Sequence, residues 1–434
     1  MKGWRGCGGG LATRVGTLRR GGPGLLALST RVRGRGEEAG AWRALAAVVI
    51  TIVLAAGSRT SLAAFLRPIE ADLHLDRSVL STAGALTVLT YGLAQPLVGG
   101  LAARLGPRTV MLGGVVLTAL GGFGVATADQ PWQLYVWAGI VPGLGFAGAS
   151  SIPATVLLAG WFPRRLGLAT GIMSAAIPAG QSLFVPLATA LVPLVGWRET
   201  YIALGVLVAV VALPVLVWLV RDPPAAHSRD ASRDATRPKL GLDVWLVGLG
   251  YFACGFSDQF VSLHLVALAA DAGLDPLLAA GMLSLVLVIG MLGSVGSGPL
   301  ADRLSAKYLL AGLYLMRAIA FPLLLLAGPG IGVAALVVFA VLFGPTYIAN
   351  QAPGARLIRD RYGVRAVGPL MGGIGLAHQV GGALGVGVGG ISVSEFGGYG
   401  LAVMVVSVVA LLGGLSQLWV PRARGLAGAP GEAR

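Results

Sequence analysis

Apolar runs of about 20 residues follow one another along almost the whole chain, broken by short polar or glycine-rich segments. As helices, runs of that length each cross a hydrocarbon core about 30 Å thick. The pattern predicts twelve transmembrane helices, at 44–66, 78–102, 109–128, 133–159, 167–192, 198–220, 243–269, 276–300, 308–327, 331–353, 367–391 and 400–420. One polar stretch, Arg221 to Lys239, separates the sixth from the seventh. The predicted class is an all-α membrane protein. Residues 43–220 form the first six-helix half, 221–240 a linker, 241–421 the second half and 422–434 a tail. Residues 1–42 are rich in Gly and Arg, and their apolar run Leu25–Leu28 is too short for the core of a signal peptide, so a disordered basic arm is expected.

The halves repeat one another. A gapless shift of 199 residues, the separation of Asp72 from Asp271, also carries Leu75-Asp76 onto Leu274-Asp275, Gly99 onto Gly298, Arg104 onto Arg303 and Arg108 onto Lys307. One offset held across two spans and their following loop marks a duplication, which makes the two bundles pseudo-symmetric.

Composition and charge agree with burial in lipid. Hydrophobic residues make up 56% of the 434 and charged residues 12%, where a soluble domain carries about 25% charged residues. Mean hydropathy is +0.81. The 68 Gly allow helices to approach closely in a bilayer. The net charge of +14 could mark a nucleic-acid binder, but the basic residues lie in short loops, so no nucleic-acid partner is expected. Alternate loops form two sets. One holds the N-terminal arm, Arg104, Arg108, Arg164, Arg165, the linker, Arg303, Lys307, Arg356, Arg359, Arg361, Arg365, Arg422 and Arg424. The other holds Glu70, Asp72, Asp76, Asp129, Asp271, Asp275 and Glu395, with only Arg67, Arg77 and Arg198. The positive-inside rule then predicts both termini in the cytoplasm and a multi-pass plasma (inner) membrane protein. Cys7 and Cys254 form no useful pair and the four His no ligand-spaced motif, so neither a disulfide nor a metal site is expected, and no cofactor.

The loop after the second span reads Gly99-Gly100-Leu101-Ala102-Ala103-Arg104-Leu105-Gly106-Pro107-Arg108. The loop after the eighth reads Gly298-Pro299-Leu300-Ala301-Asp302-Arg303-Leu304-Ser305-Ala306-Lys307. Both resemble the G-x-L-a-D-r-x-G-r-[RK] loop of the major facilitator superfamily. The first copy lacks the acid, at Ala103, and the second lacks the later Gly, at Ser305. The resemblance implies the major facilitator fold and a switch loop whose charges pair with neighbouring helix ends in one state, carried by Gly99, Arg104, Gly106, Arg108, Gly298, Asp302, Arg303 and Lys307. The alternative is that these cations only anchor the loops on the cytoplasmic side. Within the superfamily, the chain is similar to the bacterial monocarboxylate-porter and oxalate/formate-antiporter branch. Gly57-Ser58-Arg59 with Phe65, Pro68 and Glu70, the segment Trp161 to Gly171, Gly196-Trp197-Arg198, and Ala253-Cys254-Gly255-Phe256 leading to His264-Leu265 carry that likeness. The acid-Gly-Gly-Trp signature of animal monocarboxylate transporters is absent.

Charges inside a span are costly and usually face a wet cavity. Here they are Arg59 in the first span, Asp258 in the seventh and Arg317 in the ninth. The 199-residue shift carries Arg59 onto Asp258, placing a cation and an anion at equivalent positions of the two halves. Arg59 is expected to bind a substrate carboxylate in a two-bond fork and to approach Asp258 when empty. Asp258, with His264, is the candidate for proton coupling. A static ion pair with an outward-reaching Arg59 or His264 is the alternative. Arg317 either pairs with a neighbouring helix or touches substrate. Tyr91, Gln95, Ser150, Ser151, Gln181, Asn350, Gln351, His378 and Gln379 complete the cavity candidates, each able to bond substrate or another helix.

Gly143 to Gly148 match GxGxxG, but inside an apolar span this reads as helix packing rather than a dinucleotide loop. No Walker-type motif and no nucleophile–base–acid set appears, so the chain is not expected to be an enzyme. The expected function is secondary transport of a small organic anion, a monocarboxylate, by a monomer in the lipid bilayer, with protons as the coupling ion or by exchange. A drug or metabolite efflux antiporter of the same fold is the alternative, although Gly171 to Gly180 depart from the fifth-span motif of such antiporters.

Overall fold

The computed structural model describes residues 23–162, 166–220, 241–362 and 364–421. The linker 221–240, the tail 422–434 and residues 1–22 of the expected arm lie outside the described residues. Residues 23–42 are helical, where the sequence reading expected disorder; Leu25, Leu26, Ala27 and Leu28 are strong helix formers placed directly after Pro23 at the first helical position. Met1–Trp42 forms one unit and Arg43–Arg434 another, which holds both halves.

Twelve helices are long and apolar enough to cross a bilayer, as the hydropathy pattern predicts, and no strand occurs among the described residues. They are α1 Ala39–Leu73, α2 Arg77–Ala102, α3 Pro107–Ala126, α4 Pro131–Trp161, α5 Leu168–Val195, α6 Trp197–Leu219, α7 Leu242–Asp271, α8 Pro276–Ala301, α9 Ala306–Leu326, α10 Ile331–Tyr362, α11 Leu370–Phe396 and α12 Gly400–Trp419. Apolar side chains such as Leu97, Trp218, Leu292 and Ile319 face outward on this surface, as lipid contact requires.

Close backbone seams tie the helices together. A Cβ at Gly255 of α7 would sit 1.8 Å from the His378 carbonyl oxygen of α11, and Cβ atoms at Gly381 and Gly385 would sit 2.1 Å from the Phe252 and Phe256 carbonyls. Only glycine fits such a crossing. The first half repeats the contact: a Cβ at Gly180 of α5 would meet the Val53 carbonyl of α1 at 2.2 Å, and Val53 is the shifted counterpart of Phe252. The GxGxxG glycines pack α4 against its neighbours, Gly143 on Thr87 and Thr90 of α2, Gly145 and Gly148 on Thr118 and Gly114 of α3.

Two spans are interrupted at the same level of each half. α4 breaks at Ser150 (φ −115°, ψ −147°). α10 leaves the α-helix after Phe343, passes through a 3-10 turn over Gly344–Thr346 and resumes at Gln351. The shifted counterpart of Ser150 is Ala349, inside that gap. Within a membrane, a broken helix is tolerated where its freed backbone groups are buried in protein or line a cavity, and paired breaks mark substrate sites.

The motif loops cap helices of their own halves. Arg108 donates from Nη2 to the Val217 carbonyl at 2.6 Å, at the end of α6. Lys307 donates to the carbonyls of Leu418 at 3.1 Å and Val420 at 2.8 Å, at the end of α12. A cation suits a helix C-terminus, where unpaired carbonyls and the dipole are negative. Gly106 adopts φ +86°, which favours glycine, whereas its counterpart Ser305 sits at φ −63°. That difference accounts for the Gly missing from the second copy. Gly99 packs on Ile152, and Arg104 and Arg303 are exposed. The surroundings of Gly298 and Asp302 lie outside the described side chains.

Candidate substrate site

The halves meet along α1, α2 and α5 on one side and α7, α8 and α11 on the other. Gly92 of α2 packs on Gln379 of α11, Gly84 on Leu263 and Val386, and Gly390 on Ser81. Ser284 of α8 donates to the Ser182 carbonyl of α5 at 2.7 Å. Between the halves lies a cavity of about 30 Å³ lined by Arg59, Thr60, Thr87, Gln259 and Ser262, room for no more than a few water molecules. A much larger cavity of about 810 Å³ opens on the surface between α8, α9 and α10, touches neither Arg59 nor Asp258, and is lined mainly by apolar atoms.

Arg59 reaches across this interface. Its Nη2 donates to Oε1 of Gln259 on α7 at 3.2 Å. Its guanidinium carbon lies 4.9 Å from the Phe146 ring centre and 5.7 Å from that of Tyr91. No carboxylate pairs with it among the described residues. Aromatic faces and a neutral amide thus hold a half-buried cation whose charge is unanswered.

The expected approach of Arg59 to Asp258 does not occur. Asp258 Oδ1 pairs with Arg317 Nη1 at 2.7 Å, inside the second half, and both side chains are almost fully buried. The repeat fixes the level of a residue on its helix but not the direction of its side chain, and Asp258 faces α9 rather than α1. Arg317 also donates to the carbonyls of Cys254 and Thr346 and to Ser257 Oγ. The ninth helix therefore supplies the partner of Asp258, and Arg317 takes the helix-pairing alternative.

His264 is not beside Asp258 either. It lies six residues, about 9 Å, further along α7, fully buried, with Nε2 on the Val386 carbonyl at 2.9 Å and Nδ1 near the Tyr399 hydroxyl at 3.2 Å. His378 of α11 takes the place expected of it, with Nε2 3.7 Å from Asp258 Oδ2. Cys254 Sγ donates to the same oxygen at 3.2 Å. Ligand spacing in the sequence gave no metal signal, yet Cys254, Asp258 and His378 converge from two helices, their donor atoms all within 4.8 Å.

The other candidates surround these two clusters. Tyr91 interacts with Ser150, at the α4 break, and with Gln95. Gln181 of α5 donates to Thr60 Oγ1 at 3.0 Å and accepts from the Tyr347 hydroxyl at 3.2 Å. Asn350 lies in the α10 gap, donating weakly to Tyr314 at 3.5 Å, while its carbonyl accepts from Tyr251 at 2.8 Å. The Asn350 Oδ1 and Gln379 Oε1 atoms are buried without a hydrogen-bond partner among the described residues. Sequence reasoning missed Tyr347, which also bonds Ser262 of α7 at 3.0 Å and sits between the Arg59 and Asp258 clusters. Its signal was Gly344-Pro345 inside an apolar run. The next residue, Ile348, has φ +60°, a conformation that costs a β-branched side chain about 1–3 kcal/mol. Ile348→Gly is expected to raise the thermal midpoint of the purified protein by relieving that strain. An unchanged or lower midpoint in a detergent melt would contradict it.

One end of the interface is latched. Arg77 of α2, 7% exposed, bonds Glu70 of α1 through Nε and Nη2, both at 2.5 Å, and Asp271 of α7 through Nη1. The same Nη1 meets the Tyr399 hydroxyl at 2.9 Å, and Arg67 adds a 3.1 Å pair to Asp271. Burial pushes the Tyr399 phenol above its ordinary range, so it serves as a neutral hydroxyl. Asp72, the repeat counterpart of Asp271, instead stays in its own half, bonded to Arg198 and Trp197. Removing a charge-assisted partner costs about 1.5–3 kcal/mol. Arg77→Gln is therefore expected to open this end, seen as a longer-distance population between spin labels at His74→Cys and Phe396→Cys in a Cys7→Ser background. An unchanged distance distribution would remove the latch role.

Two duplicated six-helix bundles, helix breaks at matching levels and a charged cluster where the bundles meet define a multi-pass membrane transporter, not an enzyme. The chain belongs to the major facilitator superfamily, whose profile matches residues 48–352 and 247–434. It is 28% identical over 381 residues to the uncharacterized MFS-type transporter YcxA of Bacillus subtilis (strain 168), covering 85% of this chain and 92% of that one. It is 26% identical over 342 residues to monocarboxylate transporter 13 of Bos taurus, covering 77% of this chain and 78% of the relative. The fold matches the D-xylose-proton symporter with a TM-score of 0.72 at 17% identity, covering 88% of this chain and 99% of the symporter. A mutant form of the nucleoside transporter NupG matches with a TM-score of 0.71 at 12% identity, covering 88% and 99%.

Proposed function

We propose that the protein carries a small organic anion, a monocarboxylate, across the plasma membrane by alternating access, coupled to a proton or to exchange of a second anion. The observation that carries this reading is Arg59, a cation between the halves with no carboxylate partner among the described residues. A substrate carboxylate would take both arms of the guanidinium, displacing Gln259, while the Phe146 and Tyr91 faces hold the planar group in place. The anion would arrive beside Tyr347, which sits between Arg59 and Asp258. In this reading Asp258 and His378 carry the proton, and His264 belongs to the latch. Tyr91, Gln95, Gln181, Asn350 and Gln379 supply hydrogen bonds around the bound anion. The similarity to chains named monocarboxylate transporters supports the substrate class.

Loop charge supports both termini in the cytoplasm, which puts the Arg77 latch outside and the Arg108 and Lys307 loops inside; the carrier is taken to act as a monomer. The rival reading, efflux of cationic drugs, finds no unpaired acid beside Arg59 among the described residues, and Asp258 is paired with Arg317. Uptake of labelled monocarboxylates into proteoliposomes, with and without an imposed pH gradient, tests the proposal. Saturable uptake inhibited by other carboxylates is expected. Transport of cationic drugs with no carboxylate uptake would overturn it.

A further inference from the structure

We propose that Cys254, Asp258 and His378 form a binding site for a soft transition-metal dication of the zinc and cadmium class. Cys254 and Asp258 stand one helical turn apart on α7, and His378 faces them from α11 across the Gly255 seam, where the backbones are in contact. The seam fixes the three donors relative to one another. Asp258 Oδ2 is the common atom, 3.2 Å from Cys254 Sγ and 3.7 Å from His378 Nε2. Tetrahedral zinc, with bonds of about 2.0–2.3 Å, places neighbouring ligand atoms about 3.3–3.8 Å apart. The metal would replace the thiol proton of Cys254, which passes to water, since a coordinating thiol is bound as thiolate. One sulfur, one imidazole nitrogen and one carboxylate oxygen select zinc-like ions over calcium or magnesium, which take oxygen ligands.

Arg317 does not occupy this position. It holds the other oxygen, Oδ1, and keeps the carboxylate oriented, as outer partners of metal ligands do. His378, with 17% of its side chain exposed, is the member through which an ion would arrive. An ion held by Asp258 and His378 would occupy the two groups assigned to proton movement, so on that assignment its binding blocks proton-coupled transport.

The test uses full-length Cys7→Ser protein, in which Cys254 is the remaining cysteine, purified in detergent and titrated with cadmium chloride. The thiolate-to-cadmium ultraviolet charge-transfer band and equilibrium dialysis are read together, without substrate or gradient, so the outcome is independent of the transport proposal. One cadmium per chain with a growing band is expected, with the band lost in Cys254→Ser. His378→Gln, which leaves the Asp258–Arg317 pair in place, is expected to weaken binding by at least about tenfold. Absence of the band at saturating cadmium, or a band unaffected by His378→Gln, would overturn the site.

Discussion

Arg59→Gln abolishes saturable carboxylate uptake while leaving the thermal midpoint of the unliganded protein close to wild type. The two halves of this expectation have separate causes. A charge-assisted hydrogen bond contributes about 1.5–3 kcal/mol, so losing the guanidinium fork lowers carboxylate affinity by roughly ten- to more than a hundredfold. The fold loses little, because Arg59 answers only the Gln259 amide and two rings, and its removal strands no buried anion. Arg59→Lys keeps a positive charge but forfeits the planar fork and its position over Phe146, so partial uptake with a raised KM is expected. A large drop in midpoint for Arg59→Gln would instead mark Arg59 as structural.

Asp258→Asn shows the opposite balance. It leaves the Arg317 guanidinium, 0% exposed, without its counter-charge. Breaking a buried pair from one side costs about 3–5 kcal/mol, and Arg317→Gln strands Asp258 at a similar cost. The double variant Asp258→Asn/Arg317→Gln buries two neutral polar groups and is expected to regain most of the loss. Melting curves of the two single variants and the double variant read this directly, and additive losses in the double would contradict a coupled pair. The refolded double variant also separates stability from coupling: its uptake should no longer respond to an imposed pH gradient.

The number of spans, the alternation of loop charge and the duplication were legible in the sequence because each is written in one dimension. Arg59 was legible for the same reason, as a charge inside an apolar run. Its partner was not. The shift that sets Arg59 against Asp258 carries level along the helix but no azimuth, and the Arg317 side chain from α9 meets Asp258 first. His264 missed Asp258 on the same grounds, since six residues along α7 turn a side chain to another face, and His378 of α11 stands there instead. The Arg77 latch was visible only as scattered loop residues; Glu70 and Arg77 share one turn of the chain, while Asp271 and Tyr399 come from two others. The α10 break had a local signal at Gly344-Pro345, and its significance emerged from the matching break at Ser150.

The anion site is tested most directly by thermal stabilisation of the purified protein with matched pairs of ligands, small monocarboxylates and their neutral amides, in wild type and Arg59→Gln. Ligand that binds the native state raises its stability in proportion to occupancy. The structure leads to carboxylates that stabilise the wild type, amides that do not, and a variant that responds to neither. Equal stabilisation by acid and amide, or full carboxylate stabilisation of Arg59→Gln, would contradict an anion site built on Arg59.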